Sequence, residues 1–233
     1  MIVNALGTPP PEIVEQVHAE GRLIGALAGR LKHGIAHKEA GLDFVVCQGS
    51  EGGGHAGEVT SVVLWPQMVD ALDGLPVLAA GGIATGRQMA ACMAMGAAGA
   101  WCGSVWLTTS EAETTPTVKA KMLEAGARNT VRSRSRTGKP TRQLQSAWTD
   151  AWYAEGAPDP LPMPLQGIIS RPPMDKIDRL AASGHDGAKQ LATYYVGQAV
   201  GLMRQEQSAR SVVYAFMEDY AEAVERLSGT LAE

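Results

Sequence analysis

Val45-Val46-Cys47-Gln48-Gly49-Ser50-Glu51-Gly52-Gly53-Gly54-His55 is the stretch that decides the fold, read with Pro76-Val77-Leu78-Ala79-Ala80-Gly81-Gly82-Ile83 and Gly99-Ala100-Trp101-Cys102-Gly103-Ser104. Each is a short apolar run that breaks into glycine. A strand covered on both faces reads as a continuous apolar run, as strands of parallel sheets do. Glycine directly after such a strand lets backbone N–H groups approach an anion closely. Adjacent strand ends of this kind, each followed by a helix, match the phosphate site after the last two strands of a (β/α)8 barrel. The pattern therefore implies a ligand that carries a phosphate.

The same order of apolar run, glycine and helix extends towards the N-terminus. Ile2 to Leu6 reads as a strand ending at Gly7, and the prolines Pro9, Pro10 and Pro11 open a helix to about Glu20. Strands follow near residues 23–28, 44–48, 77–80 and 100–105, with helices near 31–40, 61–72 and 87–95. Ser110 is placed as the cap of a helix to about Ala125. This alternation is the signal of an α/β fold with a parallel sheet. Five βα units are visible, whereas a closed barrel needs eight. The expected architecture is thus a partial (β/α)8, TIM-barrel type domain over residues 1–126. Residues 127–233 are expected to form a loop and a helical extension packed on it.

Within that extension, Arg128 to Arg142 carries five arginines and a lysine with little periodicity and is expected to be an exposed loop. Pro158 to Pro164 cannot be helix interior. Short and longer helices are expected at 175–180, 188–203 and 211–227, the last with an apolar stripe at Val213, Phe216, Met217, Tyr220 and Val224.

Composition narrows the function. The chain has 233 residues, 45% of them hydrophobic, enough for one substantial core. A formal charge of −4 with no basic block argues against a nucleic-acid partner. Cys47, Cys92 and Cys102 are odd in number and lack metal-ligand spacing, which fits a reducing, cytoplasmic setting and no metal. Neither a signal peptide nor an apolar stretch of membrane-spanning length is read from the sequence.

The ordered set of motifs resembles the nitronate monooxygenase family, formerly 2-nitropropane dioxygenases, which are FMN enzymes on a TIM barrel. The likeness covers about Ile2 to Ala112. It is most specific in Gln48 to Gly57 and in Ala79 to Arg87, and Thr137-Gly138-Lys139-Pro140-Thr141-Arg142 also looks like a family feature. The resemblance makes the five strands the fourth to eighth of the barrel. It leaves out the family's N-terminal strands, with an Ala-Pro-Met turn and an asparagine that help hold the flavin ring.

The resemblance also implies the site. Gly81, Gly82, Gly103 and Ser104 would cradle the flavin phosphate, with Trp101 and Cys102 forming one wall. Gln48 and Gly49, at the end of the third strand, would meet the cofactor, and Gly53 would lie beside it. His33 would be the catalytic base removing the proton α to a nitro group. His55 would touch substrate or order its own loop. His37, one turn after His33, is read as surface, and Cys47 and Cys92 as buried apolar groups.

The implied activity is oxidation of alkyl nitronates or nitroalkanes with O2. The alternatives are an FMN-dependent enoyl reductase, with residues near Val105-Trp106-Leu107 shaping an acyl or ring pocket, and an inactive partial barrel. Open strand edges in a partial barrel are expected to favour homo-oligomers or pairing with another chain.

Overall fold

The computed structural model describes residues 1–231. The chain divides into two compact units. The first comprises residues 1–51, 57–102 and 210 onward, and the second residues 52–56 and 103–209.

The first unit is built on β1 (Ile2–Asn4), α1 (Pro11–Ala19), β2 (Ile24–Ala28), α2 (Leu31–Glu39), β3 (Phe44–Gln48), α3 (Ser61–Leu72), β4 (Val77–Ala80), α4 (Gly86–Ala94) and β5 (Gly99–Trp101). The strands form one sheet in the order β1-β2-β3-β4-β5. Every neighbouring pair is parallel, with Gly25 opposite Phe44, Val45 opposite Val77 and Ala80 opposite Trp101. All five C-terminal ends, and the glycines after them, therefore lie on one edge of the sheet. This is the α/β, TIM-barrel type arrangement expected from the sequence.

The central strands β2 to β4 are largely buried on both faces, which is why they read as nearly unbroken apolar runs. Val45, Cys47, Val77 and Ala79 point to one face, where they pack with Leu64, Met68 and Leu72 of α3. Phe44, Val46 and Ala80 point to the other, with Val3, Leu27, Leu78 and Trp101. A third cluster, Val14, Val17, Ile24, Ala26 and Leu42, lies under α1.

The second unit contains α5 (Pro116–Glu124), β6 (Thr130–Ser133), β7 (Thr141–Leu144), α6 (Ala147–Ala151), α7 (Leu165–Ala182) and α8 (Asp186–Leu191). Its core gathers Met122, Met174, Val196, Val200 and their neighbours. Here the structure departs from the sequence reading. The arginine-rich segment is an antiparallel hairpin, with Thr130 opposite Leu144 and Ser133 opposite Thr141. Ser133, Ser135, Thr141 and Gln143 are fully buried in it. Ser135 Oγ accepts from Gln143 Nε2 and Trp148 Nε1, both at 3.2 Å, while Gln143 Oε1 is buried without a hydrogen-bond partner among the described residues. Ser110 caps no helix, because a 3-10 turn occupies Ser104–Thr108 and α5 starts only at Pro116. The expected helix over 188–203 is interrupted: α8 ends at Leu191, and a 3-10 turn resumes at Gln198.

The last helix, α9 (Ala209–Leu231), returns to the first unit. The first unit thus runs to Cys102 and takes in α9 from Arg210. Its inward residues are Val212, Phe216 and Ala223. Of the stripe expected from the sequence, Val213, Met217 and Val224 are exposed. Among the described residues no helix is long and apolar enough to cross a membrane.

Candidate functional site

In the first unit the candidate residues gather at the C-terminal ends of β3, β4 and β5. Gln48 closes β3 opposite Ala80 of β4, and the Gly49 N–H donates to the Ala80 carbonyl at 3.0 Å. The Trp65 indole N–H of α3 lies 3.2 Å from both the Cys47 and Ala80 carbonyls, so one side chain bridges the two strand ends.

Gly81 and Gly82 then turn the chain at φ of 100° and 76°, a left-handed conformation that side chains resist. A Cβ on Gly81 would stand 3.0 Å from the backbone N and O of Gly49, and one on Gly82 would stand 3.2 Å from the Glu51 Cβ. The two glycine turns are therefore packed together with no room for side chains. Trp101 ends β5 and is followed by Cys102, whose thiol is pushed up to about 11 by burial. Cys47 and Cys92 are buried, as expected.

The middle of the glycine-rich loop, Gly52–Ala56, belongs to the second unit. Gly54 and Arg142 exchange backbone hydrogen bonds at 2.9 and 2.8 Å. A Cβ on Gly53 would come within 2.8 Å of the Gly197 nitrogen, and the Gly197 N–H donates to Ser104 Oγ at 2.8 Å. The Val196–Gly197 segment thus joins two predicted cofactor residues, Gly53 and Ser104, and nothing in its sequence marks it. Gly103, one residue earlier, has open space where a Cβ would point. His55 Nε2 lies 3.0 Å from Thr137 Oγ1, so the loop is tied to the hairpin tip. Burial, with Lys139 nearby, lowers the His55 pKa.

His33 occupies the first turn of α2, on the strand-end edge of the sheet, and is exposed. Desolvation and the nearby Lys32, His37 and Arg30 lower its pKa, which favours the neutral imidazole a general base requires. His37 is not a surface residue: it is 1% exposed. Its Nε2 lies 3.1 Å from the Leu27 carbonyl and its Nδ1 2.9 Å from Thr8 Oγ1. The carbonyl can only accept, so the neutral ring carries its proton on Nε2, and Nδ1 accepts from threonine.

Sequence reasoning also passed over Glu51 and Ser61. The Glu51 carboxylate accepts from the Ser61 N–H at 3.2 and 3.0 Å, capping the start of α3.

The model of the nitronate monooxygenase family matches residues 1–219. The chain belongs to that family. A Mycobacterium tuberculosis (strain ATCC 25618 / H37Rv) protein named "Putative monooxygenase Rv1533" is 53% identical over 229 residues, covering 98% of this chain and 61% of its own length. This chain therefore spans about three fifths of that relative. A Rhodococcus jostii (strain RHA1) enzyme, (3aS,4S,5R,7aS)-5-hydroxy-7a-methyl-1-oxo-octahydro-1H-indene-4-carboxyl-CoA dehydrogenase, is 39% identical over 138 residues, 59% of this chain and 39% of its own. Among solved structures, a nitroalkane oxidase from Streptomyces ansochromogenes superposes with a TM-score of 0.85 at 28% identity, over 97% of this chain and 65% of that one.

Proposed function

We propose that this chain serves an FMN-dependent oxidoreductase of nitronate monooxygenase type, which oxidises alkyl nitronates or nitroalkanes with O2. The observation that carries the reading is the close-packed pair of glycine turns at the ends of β3 and β4, in a chain that belongs to this family. The turns are tight enough that a Cβ on Gly81 would strike Gly49. Such a cradle of backbone groups suits a phosphate.

On this reading Gly81, Gly82 and Gly103 lend N–H groups to the flavin phosphate. Ser104, whose oxygen already accepts from Gly197, keeps its proton as a further donor. The main chain of Trp101 and Cys102 forms a wall. Gln48 offers an amide that both donates and accepts to the ribityl chain or ring edge, with Gly49 and Gly53 beside it. When bound, FMN supplies the redox chemistry. His33, neutral near pH 7, removes the proton α to a nitro group, and His55 assists in holding that group.

The test is incubation of the purified chain with FMN, then oxygen uptake with propionate-3-nitronate. A retained flavin spectrum with uptake supports the reading. His33→Asn should then slow neutral nitroalkane by ~10²–10⁴-fold and spare preformed nitronate, which needs no base. A chain that stays colourless after FMN incubation would overturn the reading in favour of an inactive partial barrel.

A second reading, an oxidoreductase of acyl thioesters, is favoured by one feature of the second unit. A cavity of about 490 Å³ opens there beside Trp106, Leu107, Val118 and Tyr194, with Asp178 on its wall. That volume suits a small organic ligand, and the Rhodococcus relative is named for a carboxyl-CoA substrate. Oxidation of NAD(P)H dependent on an enoyl thioester, without oxygen uptake on nitronate, would favour this second reading.

A further inference from the structure

We propose that Glu51 and Ser61 are positioning residues that hold the Gly81–Gly82 turn in its phosphate-binding shape, an inference that rests on the flavin reading above. The start of α3, a twelve-residue helix, is itself a place where an anion could bind. Here a side chain of the protein already fills it. Both Glu51 oxygens accept from the Ser61 N–H, and Glu51 Oε2 lies 2.8 Å from Ser61 Oγ. The phosphate is thereby directed away from α3 and towards the glycines after β4.

The same pair reaches those glycines directly. Ser61 Oγ lies 3.2 Å from the Gly81 carbonyl. A hydroxyl has one proton, so it is shared between Glu51 Oε2 and Gly81 O, with the shorter bond to the carboxylate. Holding the Gly81 carbonyl from behind fixes the peptide plane whose other end is the Gly82 N–H. That N–H is one of the groups proposed to face the phosphate. Packing enforces the arrangement from three sides. A Cβ on Gly49 would stand 2.6 Å from the Ser61 N and Cα, one on Gly81 3.0 Å from Ser61 Oγ, and one on Gly82 3.2 Å from the Glu51 Cβ. Ser61 is 5% exposed, so water does not readily replace its hydroxyl.

A cap that merely stabilised α3 would affect all flavins alike. A brace on the phosphate turn should affect only flavins that carry the phosphate. The experiment therefore measures the Kd of FMN and of riboflavin by flavin fluorescence for the wild-type chain and for Ser61→Ala, Glu51→Gln and Glu51→Ala. Circular dichroism and thermal midpoints are recorded alongside.

Ser61→Ala and Glu51→Ala should each weaken FMN by about tenfold and leave riboflavin unchanged, as expected for losing one hydrogen bond's worth of preorganisation. Glu51→Gln keeps the shape and one acceptor oxygen, and should lose less. Equal weakening of both flavins, or no weakening of FMN, would overturn the positioning role and leave Glu51 as a helix cap only. A wild-type chain that does not prefer FMN to riboflavin would overturn the phosphate-cradle reading itself, and the positioning role with it.

Discussion

At the scale of single residues, two histidines one helical turn apart have opposite fates. His33 stands exposed at the start of α2, whereas His37 is sealed between Thr8 and the Leu27 carbonyl. Each has one lysine beside it in sequence, Lys32 and Lys38, and charge near a histidine says nothing about which way its ring turns. Only the buried one links three elements: the loop before α1, strand β2 and helix α2. Burial lowers the His37 pKa below its ordinary 6.5, with the Leu27 hydrogen bond opposing. The sign follows from linkage. A group with a depressed folded-state pKa contributes stability above its unfolded pKa and loses it as pH falls. The His37 contribution is therefore complete above about pH 6.5 and disappears below it. Urea unfolding at pH 7.5, 6.5 and 5.5 should show wild type weakening across that window. His37→Gln should be less stable at pH 7.5 but flatter below 6.5. A residual slope is expected, because His33 and His55 are shifted in the same direction. An unchanged slope in the variant would exclude His37 as the source.

At the scale of elements, glycines inside helices mark where helices touch, and the atom each one meets sets the cost of replacing it. A Cβ on Gly86, at the start of α4, would fall on the Phe216 carbonyl oxygen of α9 and lie 2.5 Å from the Tyr220 nitrogen. A Cβ on Gly34 in α2 would fall on the Met68 sulfur instead. Backbone cannot step aside without moving a helix, whereas a methionine can change rotamer. Gly86→Ala should therefore cost about 1–3 kcal/mol, as overpacking does. Gly34→Ala should cost much less, since it recovers up to ~1 kcal/mol of helix propensity. Equal denaturation midpoints for the two variants would contradict this. The same element scale explains what could be read in advance. Strands β1 to β5 were legible because their residues are mostly apolar and each run breaks into glycine directly or within a few residues. The β6–β7 hairpin was not, because Thr141 and Gln143 face inward beside Arg142, so burial follows no hydrophobic alternation. Helix α7 was hidden by Pro172 and Pro173 in its interior and by an inward face that begins with Gln166 and Ser170. Glu51 read as a loop residue and Ser61 only as the first residue of a helix, because a cap is a matter of distance, which sequence spacing does not reveal.

At the scale of the whole chain, neither compact unit is a continuous piece of sequence. The first unit is interrupted by Gly52–Ala56 and by Gly103–Ala209, and is completed only when α9 returns. What α9 brings is specific. Phe216 packs against the cluster that holds Val45, Val77 and Ile83. Asp219 accepts from the Arg87 N–H and Nε, both at 2.7 Å, at the start of α4. The ion pair is mostly solvent-exposed on the arginine side, so it contributes little energy and mainly sets the register of α9 on α4. The apolar contact carries the stability. A chain ending at Ser208 should therefore bare the α4 and sheet surface, bind a hydrophobic dye at neutral pH and lose the cooperative unfolding of the first unit. Phe216→Ala, which keeps the helix, should cost roughly 2 kcal/mol, below the ~3–5 of a fully buried phenylalanine because its ring is only partly covered. Arg87→Ala should shift the unfolding midpoint far less than Phe216→Ala does, because the arginine is solvent-exposed. If the truncated chain unfolded at the same denaturant concentration as the full one, with no dye bound, α9 would be an appendage. The first unit would then be complete by Cys102.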